Sequence, residues 1–183
     1  MNPGGNLANS SLPVPVAQPT PVMPYRMAGP LGSRIFLGVL VATIGVVLQA
    51  AGSAIPFLSS YGSNLSLPDF IRRMWIEAII GAFGIAIFAT GLFLAFWSIA
   101  RARPVTRPWT AAAAFVVLPS GLVGAVFRVL YVQVWWMMFS GGPIVQVAPL
   151  FSAVGLTQLA AGFAVTLAIL VGLFGVARPF VSL

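Results

Sequence analysis

Long apolar runs, separated by short clusters of polar, proline and glycine residues, organise this chain from residue 35 onward. Four runs stand out, at 35–55, 74–98, 111–138 and 148–176, and none shows the strict alternation of a half-buried strand. A hydrocarbon layer about 30 Å thick takes about 20 helical residues at 1.5 Å each, and every run is at least that long. A backbone in lipid must satisfy its hydrogen bonds within its own segment, so the runs predict helices. The expected fold is all-α: a polytopic membrane protein with four transmembrane helices in an up-down bundle.

The polar positions between the runs set the boundaries. Seven of the fifteen prolines fall within residues 1–33, which predicts an extended or disordered Pro-rich cytoplasmic tail ahead of a four-helix transmembrane domain at 34–183. Ser66-Leu67-Pro68-Asp69 sets a serine three residues before an acid, with proline in the first turn. That pattern predicts a second helix starting near Leu67, ahead of its apolar run. Ser140-Gly141-Gly142-Pro143 marks the break between the last two helices, and Pro119 predicts a kink in the third.

Arginine placement gives an orientation. Arg26, Arg34, Arg101, Arg103, Arg107 and Arg178 share one side of a back-and-forth chain, whereas the other side has Arg72 and Arg73 beside Asp69. The positive-inside rule then predicts cytoplasmic termini for a multi-pass protein of the plasma (inner) membrane. Trp97 and Trp109 fall at the arginine-rich side and Trp135 and Trp136 at the other, as interfacial anchors would. The formal net charge of +7 thus reads as a topology signal and headgroup contact, not as nucleic-acid binding. Arginine as the sole basic residue, with abundant Ala, Gly and Pro, suggests a GC-rich prokaryotic genome.

Composition narrows the chemistry. Charged residues make up 6% of the chain and hydrophobic residues 60%, against about 25% charged in globular domains. There is no His, Cys or Lys, and Asp69 and Glu77 are the only acids. Acid–base and nucleophilic catalysis draw on those groups, so the expectation is a non-enzyme without catalytic residues or a metal site. No cofactor is predicted, although apolar packing leaves room for a bound lipid, quinone or pigment.

Two residues break the pattern. Glu77 and Arg128 lie inside apolar runs, where an ionisable group costs about 2.5–3.5 kcal/mol on insertion scales. Glu77 lies roughly 36 Å along its helix from Arg101, and Arg128 roughly 27 Å from Thr110 on the next, so both belong to the outer half. An interhelical ion pair is expected; the alternative pairs Glu77 with Arg73 one turn away while Arg128 snorkels to headgroups. Gln49, Ser53, Gln133 and Gln158 are expected to join them in a polar cluster. Small residues recur at Gly38 and Ala42, Gly81 and Gly84, Gly121 and Ala125, and Gly172 and Gly175, permitting close helix approach within the molecule and against partners. These features together suggest a non-catalytic accessory or scaffold subunit of a respiratory or photosynthetic assembly, partnered by other integral membrane subunits and lipids. The alternative is a small transporter or channel with a polar site around Glu77 and Arg128.

Overall fold

The computed structural model describes residues 30–60 and 66–181; the Pro-rich segment 1–29 and loop residues 61–65 lie outside the described residues. Four helices make up nearly all of the described chain: α1 (Pro30–Ser60), α2 (Leu67–Ala102), α3 (Arg107–Phe139) and α4 (Ile144–Val181). Each contains a segment long and apolar enough to cross a membrane, with mean hydropathy between 2.0 and 2.4. The chain is an all-α, multi-pass membrane protein. Its arginine-rich end gathers the start of α1, the end of α2, the start of α3 and the end of α4.

The helices overrun the apolar segments. α1 begins at Pro30, inside the stretch expected to be tail, and continues through Pro56 to Ser60 rather than stopping at 55. Proline at a first helical position has its φ preset and no N–H to satisfy. Near the far end, Pro56 forfeits a single ladder bond, the one to the carbonyl of Gly52. α2 starts where the serine–acid spacing places it: Ser66 Oγ accepts the Asp69 N–H at 3.4 Å and donates to Asp69 Oδ2 at 2.6 Å.

Both described turns are tight. Between α2 and α3, the Thr106 N–H donates to the Arg103 carbonyl at 3.2 Å and the Thr110 hydroxyl to the Thr106 carbonyl at 3.0 Å, with both threonines buried. Between α3 and α4, Gly141 takes φ +85° and the Gly142 N–H reaches back to the Met137 carbonyl at 3.0 Å. That is a Schellman closure, whose left-handed residue favours glycine. Pro119 lies on the exposed side of α3, which continues unbroken through it.

Substantial packing occurs between helices consecutive in the chain, so the up-down order forms a row open on one side. α4 reaches α2 toward the arginine-rich end, where the Phe96 ring lies against Gly172. Ala89, Phe96, Ala113, Ala114, Val117 and Ala168 form the buried core there. At the opposite end a second cluster of Val134, Val147 and Val154 ties α3 to α4 alone. α2 and α4 therefore part toward that end and leave a groove.

The α1–α2 seam is built from glycine. Lipid tails are as apolar as leucine, so helices in a membrane associate through close packing rather than hydrophobic burial. Gly38, Gly45 and Gly52, seven residues apart, bring α1 onto Gly81, Gly84 and Gly91 of α2. A Cβ on Gly38 would fall 2.7 Å from the Ala95 nitrogen and 2.8 Å from the Gly91 carbonyl oxygen. One on Gly45 would strike the Phe88 backbone, and one on Gly91 the Ala42 backbone. These obstacles are main chain and cannot swing aside. All eight small residues singled out in the sequence are buried within the molecule.

Gly45→Ala and Gly91→Ala are each expected to lower stability by about 1–3 kcal/mol, the usual cost of overpacking. Gly162→Ala, with no heavy atom within 4 Å of its added methyl, should leave stability unchanged or raise it by up to about 1 kcal/mol through helix propensity. Thermal unfolding in detergent distinguishes the two classes.

Candidate functional site

The site begins with a missing side chain. Gly81 follows Glu77 by one helical turn, and a Cβ on it would lie 2.5 Å from Arg128 Nε and 2.7 Å from Cζ. The glycine opens a lane over α2 through which the Arg128 guanidinium, rooted on α3, reaches Glu77. Arg128 Nη2 donates to Glu77 Oε1 at 3.3 Å. α1 backs the same turn: a Cβ on Gly52 would sit 3.2 Å from the Gly81 nitrogen and 3.4 Å from the Glu77 carbonyl oxygen.

Neither charge is sealed in. The Arg128 side chain is 23% exposed and that of Glu77 30%, and both line a cavity of about 840 Å³ in the groove between α2 and α4. Tyr131 contributes from α3, and α4 contributes Gly155, Gln158, Gly162 and Thr166. The Thr166 hydroxyl donates to the Gly162 carbonyl at 3.0 Å, so its proton is already engaged within α4. The side-chain amide of Gln158 adds a donor and an acceptor close to the ion pair.

The expected polar cluster does not assemble. Gln158 shares the cavity with the pair, but Gln49, Ser53 and Gln133 are absent from its lining, and no hydrogen bond joins the four among the described residues. Gln49 lies in the α1–α2 seam, its Cγ 2.8 Å from where a Gly84 Cβ would sit. Ser53 is exposed one residue beyond the seam position Gly52. Gln133 follows Arg128 by five residues, which turns it roughly 140° around α3 and off the groove face.

The tryptophans divide as well. Trp97 stacks on Phe93 at 6.1 Å and holds the Arg101 guanidinium 5.2 Å from its ring centre; Trp109 meets Phe174 edge-on at 5.6 Å. Both lie at the arginine-rich end. At the other end Trp136 is 42% exposed, but Trp135 turns inward between Phe139 at 5.3 Å and Phe151 at 5.7 Å, with its Nε1 buried and unpartnered. Trp135 thus packs between α3 and α4, whereas Trp136 faces outward. Neighbouring helical residues point about 100° apart, so the pair cannot share one face.

The role of Gly81 in admitting Arg128, and the open face formed by Gly155 and Gly162, escaped notice in the sequence, although their signals are there. Gly81 is four residues past Glu77, and Gly155 and Gly162 repeat the seven-residue spacing of Gly38, Gly45 and Gly52. Around Gly155 and Gly162, however, nothing lies within 4 Å of an added Cβ. No protein-family model, curated protein or solved structure matches the chain.

In a cycle of Glu77→Gln, Arg128→Gln and the double variant, the two losses should overlap by about 0.5–3 kcal/mol, as for directly coupled groups. Gly81→Leu, which alters neither charge, should abolish that coupling by blocking the lane. Trp135→Phe should leave the melting temperature unchanged or raise it, since it keeps the ring contacts and removes an unpartnered buried donor. Trp135→Ala should cost about 3–5 kcal/mol.

Proposed function

We propose that this chain is a non-catalytic subunit of a larger integral membrane assembly, with its arginine-rich end and both termini cytoplasmic. The observation that carries this reading is the unfilled glycine face of α4. Gly155 and Gly162 stand two helical turns apart on the wall of an open groove. The same seven-residue spacing on α1 seats a helix inside this molecule, backbone against backbone. A stripe of this kind, left open toward lipid, suits a transmembrane helix of another subunit. The Glu77–Arg128 ion pair beside it then acts as a clasp between α2 and α3 that holds the groove in shape, and the reading assigns the chain no cofactor.

A second reading makes the chain a small transporter or channel, favoured by the exposure of Glu77, Arg128 and Gln158 in one cavity. Extraction from the source membrane in mild detergent separates the two. The subunit reading expects an integral partner in fixed stoichiometry that Gly155→Leu or Gly162→Leu releases without shifting the melting temperature of the isolated chain. Recovery of the chain alone, with solute flux on reconstitution that Glu77→Gln abolishes, would establish the second reading instead.

A further inference from the structure

A second cavity, of about 320 Å³, lies at the arginine-rich end where the first turns of α1 cross the last turns of α2. Arg34 comes to it from α1 and Arg101 from α2, with Trp97 and Ser98 beside them and Leu37 and Leu94 forming an apolar wall. Two arginines lining so small a space repel one another, and an anion between them would offset that repulsion. No acidic side chain of this chain can supply it. The two acids, Asp69 and Glu77, both lie in the opposite part of α2, and even the nearer is roughly 36 Å from Arg101 along the helix.

Arg101 is also held in position. Its guanidinium carbon lies 5.2 Å from the Trp97 ring centre, and that ring is braced by Phe93 at 6.1 Å and Phe115 at 5.4 Å. Contact with an aromatic face orients a guanidinium but leaves its charge and most of its N–H donors available. The Ser98 hydroxyl already donates to the Leu94 carbonyl at 2.7 Å, so it offers only an acceptor, and the charged donors for an anion are the two arginines. Leu37 is 52% and Leu94 37% exposed, so the cavity continues onto an apolar surface facing lipid.

We infer that this cavity binds the phosphate of an anionic phospholipid, the phosphodiester lying between Arg34 and Arg101 and an acyl chain running along Leu37 and Leu94. Planar guanidiniums suit phosphate oxygens geometrically, and basic pockets between transmembrane helices commonly receive acidic headgroups. The apolar wall distinguishes a lipid from free phosphate, which has nothing to place there. The site is remote from the α2–α4 groove and does not depend on what fills that groove.

Delipidated protein in detergent tests the inference through thermal unfolding, titrated separately with phosphatidylglycerol, phosphatidylcholine of the same chains, and inorganic phosphate. Phosphatidylglycerol should raise the melting temperature saturably, and the other two should not. Arg34→Gln and Arg101→Gln should each weaken the phosphatidylglycerol response about fivefold, and Arg101→Lys, which keeps the charge but loses the planar fork, should fall between. Arg178→Gln removes the same charge from α4 at the same end but outside the cavity, and should bind as the parent does. Unfolding of each variant without lipid identifies any that merely fails to fold. The inference is overturned if Arg178→Gln weakens binding as much as the other two, if phosphatidylcholine is as effective, or if inorganic phosphate alone reproduces the shift.

Discussion

Main-chain contact between α1 and α2 is the constraint on which the remaining geometry rests. Two helices in lipid gain little from hiding leucine from a solvent of similar polarity, so their association depends on how closely their backbones approach. Gly38 and Gly45 on one side and Gly84 and Gly91 on the other bring them to the limit, where a single methyl would meet peptide nitrogen or oxygen, and Gly52 continues the seam more loosely. Close approach also permits Cα–H···O contacts, weak singly but repeated along a seam. α1 thereby braces α2, and α2 can present its other small faces to α3. The buried set on α2 is accordingly dominated by alanine and glycine, with Ile71 and Phe96 as the large exceptions.

Glu77 and Arg128 depend on that brace. Their pairing requires Arg128 to cross α2 at Gly81, and Gly81 is a seam residue that α1 supports through Gly52. One glycine thus serves two contacts, backbone to backbone on one side and guanidinium to backbone on the other. The pair stays partly exposed, which limits the desolvation cost each ion bears. It also stands where the row of helices opens, because the valine cluster beyond it ties α3 to α4, while α2 touches that end through Phe70 against Phe139 of α3. A structural clasp at the mouth of an open groove is consistent with the near absence of other ionisable groups from the spans.

Much of this was legible in the chain. Four apolar runs identify four helices, Ser66 and Asp69 announce the start of α2, and the depths of Glu77 and Arg128 place them in the same half of the membrane. What could not be read was facing. Gln49, Gln133 and Gln158 have similar depths but occupy different sides of their helices, since a polar side chain in an apolar run does not declare its direction. Trp135 and Trp136 look alike in sequence and diverge by one residue's rotation. α1 runs past the end of its apolar run at 55, because the one hydrogen bond that Pro56 forfeits near a terminus is a small cost beside the turn that follows. The open row differs from a closed bundle through packing among small residues, whose partners depend on all four helices at once.

The central claim is that the groove beside Gly155 and Gly162 is occupied in the membrane by a helix of another protein. Leu159 lies between those glycines in the groove and is 67% exposed, as is Phe36 on the lipid-facing side of α1. Replacing each in turn by the photoreactive residue benzoylphenylalanine in the source cells, followed by irradiation, compares the two surfaces directly. The account predicts one discrete protein adduct from position 159 and only lipid adducts from position 36. Lipid adducts alone from both positions would contradict it.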